Sequence, residues 1–193
     1  LFGTSQTFGV GCDFEHTVGH IMEQQLGVPV INLSQPAISN WFHIHNAETI
    51  LKEQVQPIQV ISTWSPSSRF DMFTERGVMR FGSWVLPETV KDGLEIVPEP
   101  IKETSHPAFG PQFYTYWNYS DSNVKTYNRW SKKLFNSLWD CKVTDFAYGE
   151  YDSELFESNQ LPDVTEFLDK SNDGIHGGAK TNKYIAELIL EKL

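Results

Sequence analysis

Residues 28–63 read VPVINLSQPAISNWFHIHNAETILKEQVQPIQVIST, and the change of period within this stretch sets the fold. VPVINL, residues 28–33, is a short apolar run with β-branched side chains and reads as a buried strand. A polar turn over 34–40 follows. From 40 to about 54 the apolar residues Trp41, Ile44, Ala47, Ile50 and Leu51 recur at helical spacing, and Pro57 closes the segment. IQVIST, residues 58–63, is a second buried strand. Strand, helix and strand in this order form a βαβ unit, which places the two strands parallel in one sheet.

The pattern extends in both directions. Leu1-Phe2-Gly3 reads as the tail of a strand that begins upstream, followed by a Gly/Thr/Ser turn. Residues 14–26 read as a helix with Val18, Ile21, Met22 and Leu26 on one face, stopped by Gly27 and Pro29. Beyond the insertion, a helix is expected at about 121–140, with Val124, Tyr127, Leu134 and Leu138 in register and Trp130 and Trp139 in the core. Residues 142–148 read as a strand, and a last helix at about 179–192 carries Ile185, Leu188 and Ile189 on one face. The expectation is one α/β domain over residues 1–193, with a parallel sheet of about five strands and helices on both faces. Residues 64–120 break this rhythm. They hold most of the prolines and the aromatics Trp84, Phe109, Phe113, Tyr114, Tyr116, Trp117 and Tyr119. The stretch at about 70–120 reads as an aromatic-rich insertion of loops and short elements, and long loops in compact domains usually carry function.

Composition narrows the function classes. The chain has 193 residues, 39% hydrophobic and 21% charged, with 15 Lys+Arg against 25 Asp+Glu for a net charge of −10. That balance argues against a reader of nucleic-acid phosphates, which needs a basic face, and against docking on an anionic membrane. No run of about 18 apolar residues spans a bilayer. Cys12 and Cys141 make no disulfide framework and no zinc motif; they read as free thiols or as one long-range pair. No signal peptide is visible, the chain opens at Leu1 with no Met, and a soluble protein of undecided compartment is expected.

Two short segments carry the chemistry. Phe2-Gly3-Thr4-Ser5-Gln6-Thr7-Phe8-Gly9 ends the first strand, and Asp173-Gly174-Ile175-His176 precedes the last helix. In a doubly wound sheet, sites collect beyond the carboxyl ends of the strands, so both loops belong at one edge. A serine on a tight turn at a helix start exposes its hydroxyl near backbone N–H groups able to hold an oxyanion. A nearby histidine can act as its general base, and Asp173 can orient that imidazole and stabilise its charged form. The bland alternatives are a turn serine, a solvated loop histidine and an aspartate cap.

These two segments resemble the first and last blocks of the SGNH (GDSL-type) hydrolases. The resemblance implies a three-layer flavodoxin-like fold and a Ser5–His176–Asp173 triad. Thr4 stands where the family has Asp. In the family's second block a Gly N–H helps hold the oxyanion; the matching turn here is Asn32-Leu33-Ser34-Gln35-Pro36-Ala37-Ile38-Ser39, with Ala37 as the best match and Pro36 unable to donate. The third block's Gly-x-Asn-Asp is replaced by Trp64-Ser65-Pro66-Ser67-Ser68-Arg69. The Asn donor is absent, Ser67 is the nearest positional match, and Ser65 and Arg69 are the other candidates. Losing one oxyanion donor typically costs about 10²–10³ in rate.

The resemblance thus implies a serine esterase working through an acyl-enzyme, with Ser5, Ala37 and Ser67 around the oxyanion and no metal or organic cofactor. Its substrate would be a small-molecule ester or an acylated carbohydrate. Arg69, Trp64 and His16 are the expected substrate contacts, although Arg69 equally suits pairing with a carboxylate. The aromatics of the insertion suit sugar stacking, a satellite core or an oligomer interface. The histidine pairs His16/His20 and His43/His45 lack an acidic or Cys partner, so packed or surface histidines are the simpler reading. Asn118-Tyr119-Ser120 fits a glycosylation acceptor. Two other readings compete: a non-catalytic ligand-binding or structural module on the same fold, and a flavodoxin-like nucleotide or flavin binder. The second lacks a phosphate-loop pattern.

Overall fold

Alternation along two neighbouring strands explains how the layers are built. On β1 (Gln59–Trp64), Val60 and Trp64 enter one hydrophobic cluster and Ile61 the opposite one; on β4 (Lys142–Tyr148), Ala147 and Phe146 divide in the same way. A sheet buried on both faces needs helices on both, and both are present. The computed structural model describes residues 1–74, 77–82 and 121–193. The helices are α1 (Ser5–Phe8), α2 (Val18–Leu26), α3 (Asn40–Lys52), α4 (Asp121–Ser137), α5 (Gly149–Phe156) and α6 (Ala179–Leu190). The remaining strands are the hairpin β2 (Phe70–Thr74) and β3 (Gly77–Phe81), and β5 (Asn159–Leu161).

The sheet is small and parallel, in the order β1-β4-β5, with Gln59 opposite Lys142 and Phe146 opposite Asn159. It continues past β1 in fragments. Phe2 bridges Ser62 in parallel, donating to Ile61 O and accepting from Thr63 N, each at 2.8 Å. Beyond Phe2, Leu1 N donates to Ile31 O, Leu33 N to Leu1 O and Gln35 N to Gly3 O. The expected strand at 28–33 is therefore corrected: it forms no regular strand and only follows residues 1–3 along the open edge. Its one neighbour offers few partners, Pro29 has no N–H, and Ile31 is half exposed.

One core cluster is aromatic. Phe135 meets Phe2 edge-on at 5.0 Å and Trp64 at 5.5 Å, and Trp64 stacks on Phe156 at 5.3 Å. Such pairs add about 0.5–1.5 kcal/mol each beyond their buried area. The other cluster packs Val18 and Met22 of α2 and Ile185, Ala186 and Ile189 of α6 against Ile61 and Phe146.

Several sequence expectations shift in detail. The helix expected at 14–26 is a 3₁₀ turn at Phe14–His16 followed by α2, because extended Thr17 interposes and caps α2 by accepting from His20 N. His16 and His20 therefore do not share one helix. On α4 the buried face includes Asn128, Ser131 and Phe135, whereas Leu134 is partly exposed and Trp130 is 68% exposed. Trp130 is not core; Trp139 is. Helix α5, strand β5 and the β2–β3 hairpin were not anticipated as separate elements. The aromatics at 84–119 and the Asn118 triplet lie outside the described residues. No helix among those described is long and apolar enough to cross a membrane. Cys12 and Cys141 are both free thiols.

Candidate active site

The Ser5 turn is tight because of what lies under it. A Cβ at Gly3 would sit 2.2 Å from Thr63 Oγ1, so only glycine lets the chain pass so close to β1 before α1 begins. Thr7, the third residue of α1, contacts Thr63 Oγ1 at 2.6 Å and Tyr148 Oη at 3.1 Å. Burial pushes the Tyr148 hydroxyl well above its ordinary range, so it stays a neutral partner. Gly9, at φ +95°, ends the single turn of helix. Ser5, at the helix start, is 9% exposed, and its N–H makes no hydrogen bond among the described residues.

A loop from residue 169 to 178 approaches from the other end of the chain. Asp169 accepts from Lys180 N, Thr181 N and Thr181 Oγ1, holding the loop to the start of α6. Asp173 accepts from Ser171 Oγ at 2.6 Å and from the N–H groups of Ile175 and His176 at 2.8 and 3.0 Å, all on Oδ1. Its Oδ2 takes the Nδ1–H of His176 at 2.5 Å. Burial raises the Asp173 carboxyl, but these four hydrogen bonds outweigh it and hold the group well below the usual carboxylate range. An ionised Asp173 can only accept, so His176 must donate from Nδ1, which leaves Nε2 free to accept. Nε2 lies 2.8 Å from Ser5 Oγ. Ser5, His176 and Asp173 thus form one hydrogen-bonded chain across 171 residues of sequence, open to solvent on the imidazole side.

The turn after residues 31–35 is held to the start of the Ser5 turn, where Gln35 N donates to Gly3 O at 3.0 Å. Ala37 stands at φ +60°, in the left-handed region an L residue enters at a cost of about 1–2 kcal/mol. Its N–H makes no hydrogen bond among the described residues. The hairpin clamps this turn. Ser39 N and Oγ both donate to Asp71 Oδ2 at 2.8 Å, and Arg80 donates to Pro36 O and Gln35 Oε1. Burial raises the Asp71 carboxyl, partly offset by Ser39 and by the charges of Arg80 and Arg69.

The remaining expected residues are placed differently. Ser67 N donates to Asp152 Oδ1 at 3.2 Å, and Ser67 O accepts from Asn128 Nδ2 at 2.9 Å. Ser65 N donates to Asn40 Oδ1 and Ser65 O accepts from Asn40 Nδ2, while Asn40 also donates to Asn128. The charge of Arg69 holds down the carboxyls of Asp71 and Asp152, against the burial that raises them. Trp64 is corrected outright as a substrate contact: at 1% exposure, stacked between His43 and Phe156, it is core, because its strand position points into the helical layer. His16 is exposed, and its carbonyl accepts from Asn182 Nδ2 at 2.9 Å. Sequence reasoning missed Gln6, Asn182 and Asp169. Their partners lie 11 to 176 residues away, so no local spacing marks them. A separate groove of about 540 Å³, lined by Leu51, Val55, Pro57, Leu138 and Trp139, opens at the amino ends of the strands, away from Ser5.

No family model matches the chain, and no curated protein does. Among solved structures, the fold is similar to an acetyl xylan esterase from the rumen bacterium Butyrivibrio proteoclasticus, at a TM-score of 0.56 and 10% identity. That match covers 100% of this chain, which spans 62% of the other's length. At that identity the likeness speaks for the fold: a mixed α/β arrangement with a small parallel sheet.

Proposed function

We propose that this chain is a serine ester hydrolase, a divergent relative of the SGNH enzymes. The observation that carries the reading is the chain Ser5 Oγ–His176 Nε2, His176 Nδ1–Asp173 Oδ2, at 2.8 and 2.5 Å. The fragmentary edge also supports it. Counting residues 31–35 and 1–3 as edge positions gives the strand order 2-1-3-4-5, the flavodoxin-like order that puts the site at the carboxyl edge.

In the mechanism, Ser5 Oγ attacks the ester carbonyl as His176 Nε2 takes its proton. The tetrahedral oxyanion is met by the N–H groups of Ser5 and Ala37; the Ser67 N–H is turned to Asp152 instead. The imidazolium, steadied by Asp173, passes the proton to the departing alcohol oxygen, leaving an acyl-enzyme. Water then attacks with His176 again as base, the acid leaves, and Ser5 regains its proton. The chemical class we favour is a small acyl ester, acetylated carbohydrate included, and the structurally similar acetyl xylan esterase is in keeping with that class.

The test is release of p-nitrophenol from p-nitrophenyl acetate by the wild type, Ser5→Ala and His176→Ala. A loss of about a thousandfold or more in both variants supports the proposal. Equal rates in all three would overturn it. One observation favours a second reading, a non-catalytic binding module: the Ser67 N–H is already held by Asp152. That reading expects no turnover and no dependence on Ser5.

A further inference from the structure

We infer that Gln6 is a positioning residue that sets His176 against Ser5, an inference that rests on the hydrolase reading. Gln6 directly follows Ser5, and Gly177 directly follows His176. The side-chain amide of Gln6 grips the Gly177 residue from both sides: Oε1 accepts from Gly177 N at 2.8 Å and Nε2 donates to Gly177 O at 3.4 Å. Nε2 also donates to Asn182 Oδ1 at 2.5 Å, and Asn182 is anchored in turn by its Nδ2 on His16 O. Gln6 is 5% exposed and Asn182 fully buried, so these bonds have little competition from water.

Two adjacent residue pairs are therefore joined twice. The side chains of Ser5 and His176 make one link, and the Gln6 side chain with the Gly177 backbone makes the other. The second link is absent from any regular element; it replaces a strand ladder where two loops would otherwise only touch. Gly177 is shaped for it. A Cβ there would lie 3.0 Å from Gln6 Nε2 and 2.4 Å from Thr181 Cγ2, so any larger residue pushes the loop off the amide. Asp173 fixes the imidazole within its own loop. The loop is also tied to the segment after α1 by Asn172 N on Gly11 O at 3.0 Å and by Cys12 Sγ on Gly177 O at 3.5 Å, but Gln6 is the tie made by the residues next to both Ser5 and His176. A displacement of about 1 Å at a reacting centre costs up to about 10²-fold in rate.

The test uses the full chain, with Gln6→Met, which keeps the volume and loses the hydrogen bonds, and Gln6→Glu, which keeps the acceptor for Gly177 N–H. Two readouts are taken per folded molecule: kcat and KM on p-nitrophenyl acetate, and the downfield proton resonance of His176 Nδ1–H in its bond to Asp173. Gln6→Met is expected to lower kcat about 10- to 100-fold with KM within about threefold, and to broaden or abolish the Nδ1 proton signal. At position 6 a carboxyl is buried and faces the oxygens of Gly177 and Asn182, so it holds its proton and donates it there; Gln6→Glu is therefore expected to recover much of both. The inference is overturned by a Gln6→Met variant with kcat within twofold of wild type and an unchanged proton, or by Gln6→Glu losing as much as Gln6→Met. If Gln6→Met does not fold, Gln6→Glu decides by keeping or losing the proton signal. If wild type proves inert toward esters, the hydrolase reading fails while the proton signal still tests the clamp.

Discussion

On the Asp173 side of Ser5, the loop carrying His176 turns its hydrogen bonds inward, onto one carboxylate and one imidazole. The loop after β1 makes a second side and turns its hydrogen bonds outward, to Asn40, Asn128 and Asp152. Both loops leave the same sheet edge, and both are rich in small polar residues. The first holds an imidazole between a carboxylate and a serine hydroxyl. The second knits α3, α4 and α5 to the end of β1, using buried amides whose removal leaves unpaired groups in a dry interior. Substitutions on the first side should therefore strike rate and spare stability, and substitutions on the second should do the reverse.

The largest expected effect is on the first side. Asp173→Asn keeps the shape but lets the imidazole take the wrong tautomer, and kcat/KM on p-nitrophenyl acetate should fall by about 10³–10⁴. Because the Asp173 carboxyl is held below its ordinary range, it remains ionised at every pH above about 4. Its stabilising share is present there and is lost only on deeper acidification, so a pH–rate profile from 5 to 8 should carry no step from Asp173. Next comes Asn128→Ala. Asn128 is fully buried and donates to Ser67 O and Val124 O. Its loss should cost about 2–3 kcal/mol, seen as a Tm lower by roughly 5–10 °C, with kcat of the folded protein within about threefold. A comparable fall in kcat at a temperature where the variant is fully folded would erase the contrast.

A pH dependence of stability should come from behind β1. His43, fully buried between Phe2, Trp64 and Phe135, has its pKa lowered by burial from 6.5 to about 3. The unfolded chain binds this proton and the folded one does not, so the stabilisation is complete above pH 6.5 and falls as pH drops toward 3. The slope is at most about 1.4 kcal/mol per pH unit. Chemical denaturation of His43→Leu across that range should show a flatter curve than wild type. The smallest effect should be Ala37→Gly. Relieving a left-handed alanine should raise stability by about 0.5–1 kcal/mol, with ester hydrolysis within twofold, since the N–H is retained.

The same contrast separates what was legible in the sequence from what was not. The loop at 173–176 could be read because its partners are three residues apart, and the Ser5 turn because glycine and a strand end bracket it. Helices α2, α3 and α6 followed from apolar spacing. The face of α4 is legible in part: Val124 is buried and Leu138 packs on the core, but Asn128 and Ser131, both polar, lie inward while Leu134 and Trp130 lie outward. Trp64 was read as a site residue because it ends a strand at the right edge; its burial depends on His43 and Phe156, which are distant in sequence. Residues 28–33 read as a strand because composition reports burial and says nothing of how many neighbours an edge offers. Gln6 and Asn182 carried no signal, since their pairing exists only once both ends of the chain meet.

The central claim is that Ser5 is a nucleophile activated by His176. A fluorophosphonate probe with intact-mass detection and peptide mapping tests it most directly. One adduct on Ser5, absent in Ser5→Ala and slowed at least a hundredfold in His176→Ala, is the expected result. An unlabelled wild type, or an adduct that persists in Ser5→Ala, would contradict it.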